Sequence, residues 1–256
     1  MIIINEKKVA FIHIPKNGGT SIRAYFNTIN KGAINEFEYQ IFVHKNERYD
    51  MNHLTLDLLN KNFKTTFDLI KQYNSFCILR DPRERFYSSI NQYFRSQKNK
   101  MIDECSKKEL NEEISIIISK LKELKGKNLP ANFIHFQPQV DFVMLDNKIV
   151  IKNIFYLDNT ASIEKFVKLN ISEDFVMQKK NDTVFIKNKI SAKIFRFLYK
   201  VFSSAGLSFS DSQISFIKSK LFRNKNVMLD KIEDKSKIDG FIDDYYSKDL
   251  KLIESL

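Results

Sequence analysis

Lys16, Thr20 and Ser21 crowd around the pair Gly18-Gly19 in the stretch Phe11-Ile12-His13-Ile14-Pro15-Lys16-Asn17-Gly18-Gly19-Thr20-Ser21, in a chain that has only six glycines and four prolines. One ammonium and two hydroxyls at a glycine turn, with no carboxylate among them, form a set of donors suited to an anion. The apolar run from Val9 to Ile14 reads as a strand that breaks at Pro15, and Thr20 starts a helix. Backbone N–H groups at such a strand-to-helix turn, aided by the helix dipole, favour a phosphate or sulfate. The lysine precedes the glycines, whereas a Walker loop carries it after them, so the ATPase and kinase signature is not met. The plainer alternative is a β-to-α connection with a solvated lysine.

A second strand–turn–helix follows. Ser75-Phe76-Cys77-Ile78-Leu79 reads as a short buried strand ended by Arg80-Asp81-Pro82, with Asp81 as N-cap and Pro82 at the first helical position. Phe86, Ile90, Tyr93 and Phe94 continue at helical spacing. Arg80 then stands at the carboxyl end of its strand and Ser88 two turns into the helix. Ligands of open α/β sheets collect at the carboxyl ends of strands, so two such ends bearing cations and hydroxyls imply one ligand with two separate anionic groups. Alone, this segment would read as a surface ion-pair cluster of Arg80, Arg83 and Arg85 with Asp81 and Glu84.

Together the two segments resemble sulfotransferases that use 3′-phosphoadenosine 5′-phosphosulfate (PAPS). PKNGGTS looks like their 5′-phosphosulfate loop, and LRDPRERFYSSINQYF looks like their 3′-phosphate motif, an arginine followed eight positions later by a serine, as Arg80 and Ser88 are here. Both are closest in form to carbohydrate sulfotransferases of the heparan-sulfate 2-O-sulfotransferase type and their bacterial relatives. Weaker echoes are Asn52-His53-Leu54-Thr55, His135-Phe136-Gln137-Pro138-Gln139 and Tyr245-Tyr246-Ser247-Lys248-Asp249, in the family's order. The resemblance implies a PAPS-dependent enzyme with a saccharide acceptor and adenosine 3′,5′-bisphosphate as product. Pro15, Lys16, Asn17, Gly18, Gly19, Thr20 and Ser21 would hold the 5′-phosphosulfate, and Arg80 and Ser88 the 3′-phosphate. Two departures stand out: Asn17 replaces a common threonine, and Ile154–Asn159 occupies the place of a common Arg-Phe-Glu segment.

Sulfuryl transfer needs an acceptor hydroxyl in line with the sulfur and the leaving phosphate oxygen, so positioning and charge neutralisation dominate. Lys16 is the candidate to stabilise the leaving oxygen. A general base adds roughly 10²–10⁴-fold, and His53 is the candidate, since it precedes a helix and matches a family position where a histidine is the base. His13 reads as a packed residue orienting the loop, and His44 and His135 as acceptor-side residues. No metal is implied, because the basic residues can neutralise the anion directly and no ligand cluster is spaced for one.

The formal net charge of +11 favours an anionic ligand or surface, yet the lysines are spread along the chain as a skewed codon usage would spread them. A nucleotide-dependent phosphotransferase is disfavoured by the lysine's position and the missing Mg²⁺ carboxylate motif. A nucleic-acid-binding protein would use the charge, but no recognition motif supports it. Two cysteines, Cys77 and Cys105, give neither a disulfide framework nor metal spacing and predict a reduced, cytoplasmic setting. No segment reaches transmembrane length, and Glu6-Lys7-Lys8 interrupts the early apolar run where a signal peptide would continue.

The positioning elements alternate. Strands are predicted over 7–14, 75–80 and, as one or two pieces, 148–157; helices over about 20–30, 55–63, 83–97, 107–125 and 160–169, with an irregular polar stretch over 32–53 and three helices between 190 and 255. Such alternation predicts an α/β fold with a central parallel sheet covered by helices, and the resemblance implies a P-loop-like three-layer form of it. One domain over 1–256 with a helical C-terminal part from 190 is expected. Ile190, Ile194, Leu198, Val201 and Phe202, ringed by Lys187, Lys193, Arg196 and Lys200, would make a basic amphipathic helix; it packs on the sheet or lies on an anionic membrane.

Overall fold

The computed structural model describes residues 1–29, 40–177, 185–186, 222–223 and 230–256. The chain divides into two compact units, one of 1–101, 112–180 and 234–256, the other of 102–111 and 181–233. The site lies in the first.

Its centre is a four-stranded sheet: β1 (Ile2–Ile4), β2 (Val9–Ile12), β5 (Asn74–Leu79) and β8 (Asn153–Tyr156), adjacent in that order. β2, β5 and β8 are parallel, with Phe11 opposite Phe76 and Phe76 opposite Asn153, while β1 pairs antiparallel on the edge of β2. Both faces are covered, which is why β2 and β5 read as unbroken apolar runs rather than alternating ones. Val9, Phe11, Phe76 and Ile78 meet Ile22 and Phe26 of α1 (Gly19–Ile29) and Ile163 and Val167 of α6 (Thr160–Asn170). Ala10, Ile12, Cys77 and Leu79 face Leu56, Leu58 and Leu59 of α2 (Leu56–Asn62) and Phe67 and Ile70 of α3 (Lys64–Gln72). The three layers and the parallel core follow the sequence reading; the antiparallel edge strand was not foreseen.

α4 (Pro82–Gln97) begins as its sequence dictates. The Asp81 carboxylate accepts from the N–H groups of Arg83 and Glu84, and Pro82 occupies the first position. α5 spans Lys107–Glu123, and α7 (Lys235–Tyr245) and α8 (Ser247–Glu254) close the chain. Arg83 ties α4 to α7 through Asp243 and, at 3.9 Å, Asp239. In the second unit, β9 (Phe185–Ile186) pairs antiparallel with β10 (Phe222–Arg223), and the Lys231 ammonium donates to the carbonyls of Ile102, Asp103 and Cys105.

Part of the stretch predicted irregular over 32–53 is instead a hairpin, β3 (Ile41–His44) with β4 (Glu47–Asp50). Its turn residues Lys45 and Asn46 both have positive φ (49° and 65°). That is the geometry of a two-residue hairpin turn without the glycine that usually announces one. A second hairpin, β6 (Met144–Leu145) with β7 (Lys148–Ile149), turns on Asp146 and Asn147 in the same way. The helix predicted over 55–63 is α2, and α3 follows it almost at once. Of the three C-terminal helices, two are α7 and α8; apart from Phe222–Arg223 of β10, residues 190–229, and with them the basic stripe over 187–204, lie outside the described residues.

Gly19 opens α1 under the His13 ring: a methyl group there would run into the imidazole and into Phe11. Gly19→Ala is expected to lower the unfolding free energy by about 1–3 kcal/mol, the usual cost of overpacking. A denaturant midpoint equal to wild type would mean that His13 yields freely.

Candidate active site

The turn between β2 and α1 lies at the carboxyl end of the sheet. Lys16 (φ +69°) and Gly18 (φ +76°) take the left-handed conformation on either side of Asn17. Left-handed residues in a strand-to-helix turn are a feature of anion-binding nests. A side chain at Gly18 would also strike Leu157, just past β8. Thr20 is exposed and Ser21 half-buried in the first turn of α1.

The Asn17 side chain turns inward. Its Nδ2 donates to the Ile78 carbonyl (2.7 Å) and to Gln139 Oε1 (2.6 Å). Gln139 is fixed in turn, because its Oε1 accepts from Arg80 N (3.0 Å) while its Nε2 donates to Arg80 O (2.9 Å). The loop therefore offers a ligand the backbone of Asn17, not its amide, and Asn17 Oδ1 is left buried and unpaired. A threonine could not donate to both of those acceptors, which explains the departure from the common loop sequence.

Arg85 is the deepest cation, 1 % exposed. Its Nε donates to Pro15 O (3.1 Å) and its Nη2 to Gln137 O (2.7 Å). Burial pulls its pKa below the ordinary arginine value, opposed by the neighbouring Tyr246 and Asp249. One turn on, Ser89 Oγ donates to His135 O (2.7 Å). Nearly another turn on, Gln92 Oε1 accepts from the Lys16 ammonium (3.4 Å). Arg85, Ser89 and Gln92 lie at i, i+4 and i+7, so one face of α4 holds both the Pro15-Lys16 turn and the 3₁₀ turn Ile134–Phe136. From α8, the buried Asp249 accepts from Gln139 N (2.8 Å) and Val140 N (2.9 Å); burial raises its pKa to about 6 despite Arg85 and those two bonds.

Lys16 has its pKa lowered to about 8, first by burial and then by the charges of Arg95, Arg80 and Arg85. Four cations thus gather at one turn. The carboxylate bonded among them is Glu84, which takes two bonds from Arg80 (3.1 and 2.8 Å), while Arg80 Nη1 donates to Lys16 O (3.2 Å). Ser88 is half-buried on α4.

Beside Lys16 three imidazoles meet at steep ring angles. The His13 and His53 centroids are 4.7 Å apart, those of His53 and His135 5.9 Å. His53 Nδ1 lies 2.9 Å from His13 O. A carbonyl only accepts, so His53 carries its proton on Nδ1 and keeps a lone pair on Nε2. Burial, and for His135 also its coupling to His53 and the charge of Lys16, lowers the pKa of His53 and His135 to about 3. Both are therefore neutral at ordinary pH. His44 stacks with Phe42 on the hairpin.

The structure thus gathers Pro15 through Ser21, Arg80, His53 and His135 around the carboxyl ends of β2 and β5. Sequence reasoning assigned no site role to Arg85, Ser89, Gln92 or Gln139, although Arg85 figured among the arginines of its segment and Gln139 in the 135–139 echo; the trace of the first three was polar residues at helical spacing on α4. Among the described residues no group of three or more His, Cys, Asp or Glu is arranged to hold a metal ion, and no helix is long and apolar enough to cross a membrane.

A cationic anion site at the carboxyl end of a parallel α/β sheet defines the class: an enzyme or receptor for a phosphate or sulfate ester. The family is sharper. The model of the sulfotransferase family matches residues 1–160, well over half of the chain, and the chain belongs to that family. No curated protein and no solved structure matches it.

Arg85→Met is expected to destabilise the protein by at least about 2 kcal/mol, because it leaves two buried carbonyls unpaired. Arg85→Lys should rescue only part of this, since one ammonium cannot span both. Thermal unfolding measures both; a wild-type Tm for Arg85→Met would show that the carbonyls find other partners.

Proposed function

We propose that the protein transfers the sulfuryl group of PAPS to a hydroxyl of a saccharide. The observation that carries this reading is the cluster of Lys16, Arg80, Arg85 and Arg95 around a turn with two left-handed residues, Lys16 and Gly18. Such a cluster suits an anion, and the membership of the family supports which anion that is. The residues present fit the donor: Pro15 through Ser21 suit its 5′-phosphosulfate, in the P-loop-like manner of a strand, anion-binding turn and helix, and Arg80 with Ser88 suit its 3′-phosphate. The donor supplies the sulfuryl group. Lys16 stabilises charge on the leaving oxygen, and the imidazole cluster that contains His53 takes the acceptor proton. Arg80 keeps donors to spare, and its pair with the exposed Glu84 is the kind worth about 0–1 kcal/mol, so a phosphate displaces it readily.

Adenosine 3′,5′-bisphosphate tests the donor half without any acceptor. Calorimetric titration should show binding far tighter than ADP or 5′-AMP, with Arg80→Ala losing roughly 10- to 150-fold, the worth of a hydrogen bond to a charged group. Indifference to the 3′-phosphate, or to Arg80→Ala, would overturn the assignment.

Lys16 sets the pH dependence. Its ammonium is the binding form, so affinity should fall as pH rises through about 8. In Lys16→Ala that fall should vanish, and turnover should drop much more than affinity for the bisphosphate. Equal losses would remove Lys16 from the chemistry.

A further inference from the structure

We infer that His135 is the residue that touches the acceptor and takes its proton, and that His53 positions it. This rests on the sulfotransferase reading above.

The three imidazoles form a column that runs outward. His13 and His53 are buried at 6 and 8 % exposure, whereas His135, at the far end, is less completely buried. A base must meet the hydroxyl it deprotonates, and the open end of the column is where a saccharide can arrive. His53 has its Nδ1 committed to His13 O and its ring edge-on to His135, an arrangement that holds a neighbour in place. The His135 backbone is anchored independently, through its carbonyl, to Ser89. Ser89 stands three residues before Gln92, the partner of the Lys16 ammonium. Positions i and i+3 share a helix face, so α4 sets the His135 turn beside the residue that stabilises the leaving group.

In the step itself the acceptor oxygen forms its bond to sulfur while the bond from sulfur to the 5′-phosphate oxygen breaks. That electron pair leaves on the phosphate, facing Lys16, and the hydroxyl proton passes to a ring nitrogen of His135. The groups that face His135 are His53 from the 51–53 turn, Lys16 from the loop, Asp50 from the end of β4 and Arg85 from α4. Three of these hold the ring neutral, with its lone pair available, and Asp50 opposes them.

Two measurements decide. Diethyl pyrocarbonate labelling of the wild-type protein, mapped by mass spectrometry, should modify His135 before His53 and His13. Labelling of His53 ahead of His135 would overturn the proposal, whatever the enzyme's activity. Kinetically, slow hydrolysis of PAPS with water as acceptor should fall by about 10² or more in His135→Asn, while the Kd for adenosine 3′,5′-bisphosphate stays within twofold. His53→Asn, which keeps a donor for His13 O, should lose less and retain the wild-type pH profile, whereas His135→Asn should lose its acid limb and keep only the fall near pH 8 that Lys16 causes. An unchanged hydrolysis rate in His135→Asn, with intact bisphosphate binding, rejects His135. Wild-type protein that binds no bisphosphate rejects instead the sulfotransferase reading on which the inference stands.

Discussion

The buried guanidinium of Arg85 is the interaction on which the rest of this site depends. Pro15 and Gln137 lie far apart in sequence, and both carbonyls point at one side chain on α4. A carbonyl facing inward without a donor costs roughly 1–3 kcal/mol, so neither loop keeps its path without this residue. Lysine cannot replace it, since two acceptors in different directions need the fixed fork of a guanidinium. The polar contacts beyond follow in order: Asn17 is held by Gln139, Gln139 by the Arg80 backbone and Asp249, and the 134–136 turn by Ser89. What an active site requires, donors fixed before the ligand arrives, is here supplied by backbone carbonyls tied to a few buried side chains.

Much of this was legible in the sequence where one residue dictates one local outcome. Pro15 stands in the turn that follows β2, Gly18 permits a left-handed conformation there, and Asp81-Pro82 starts α4; each signal acts within four residues. The cationic and hydroxyl groups of both loops were readable for the same reason. The hairpins escaped because Lys45-Asn46 and Asp146-Asn147 adopt positive φ without glycine, at a cost met by pairing that single-residue propensity does not contain. Arg85 escaped for a different reason. In sequence it is one of three arginines in six residues, and only the tertiary fold decides that Arg83 meets α7, Arg80 meets Glu84 and Arg85 goes inside. The column of histidines is likewise assembled from three separate segments, and nothing local in them marks their meeting.

The electrostatics of the site make sense only with an anion in view. Four cations around one turn repel each other, and burial adds to that penalty, which is why Lys16 is the easiest of them to deprotonate. Glu84 supplies partial compensation at Arg80, from a position exposed enough to withdraw. A ligand carrying several negative charges relieves the repulsion, and by linkage whatever binds only the folded state stabilises it. The same charges act on the imidazoles. Lys16 and Arg85 help keep His135 neutral in the empty protein, and an anion placed against Lys16 offsets that field and makes the ring a stronger base. On the proposed mechanism, donor binding would do two things through one cluster: secure the leaving group and raise the basicity of the residue that receives the acceptor's proton. Ordering of this kind would let the acceptor be activated only when a donor is there to react with it.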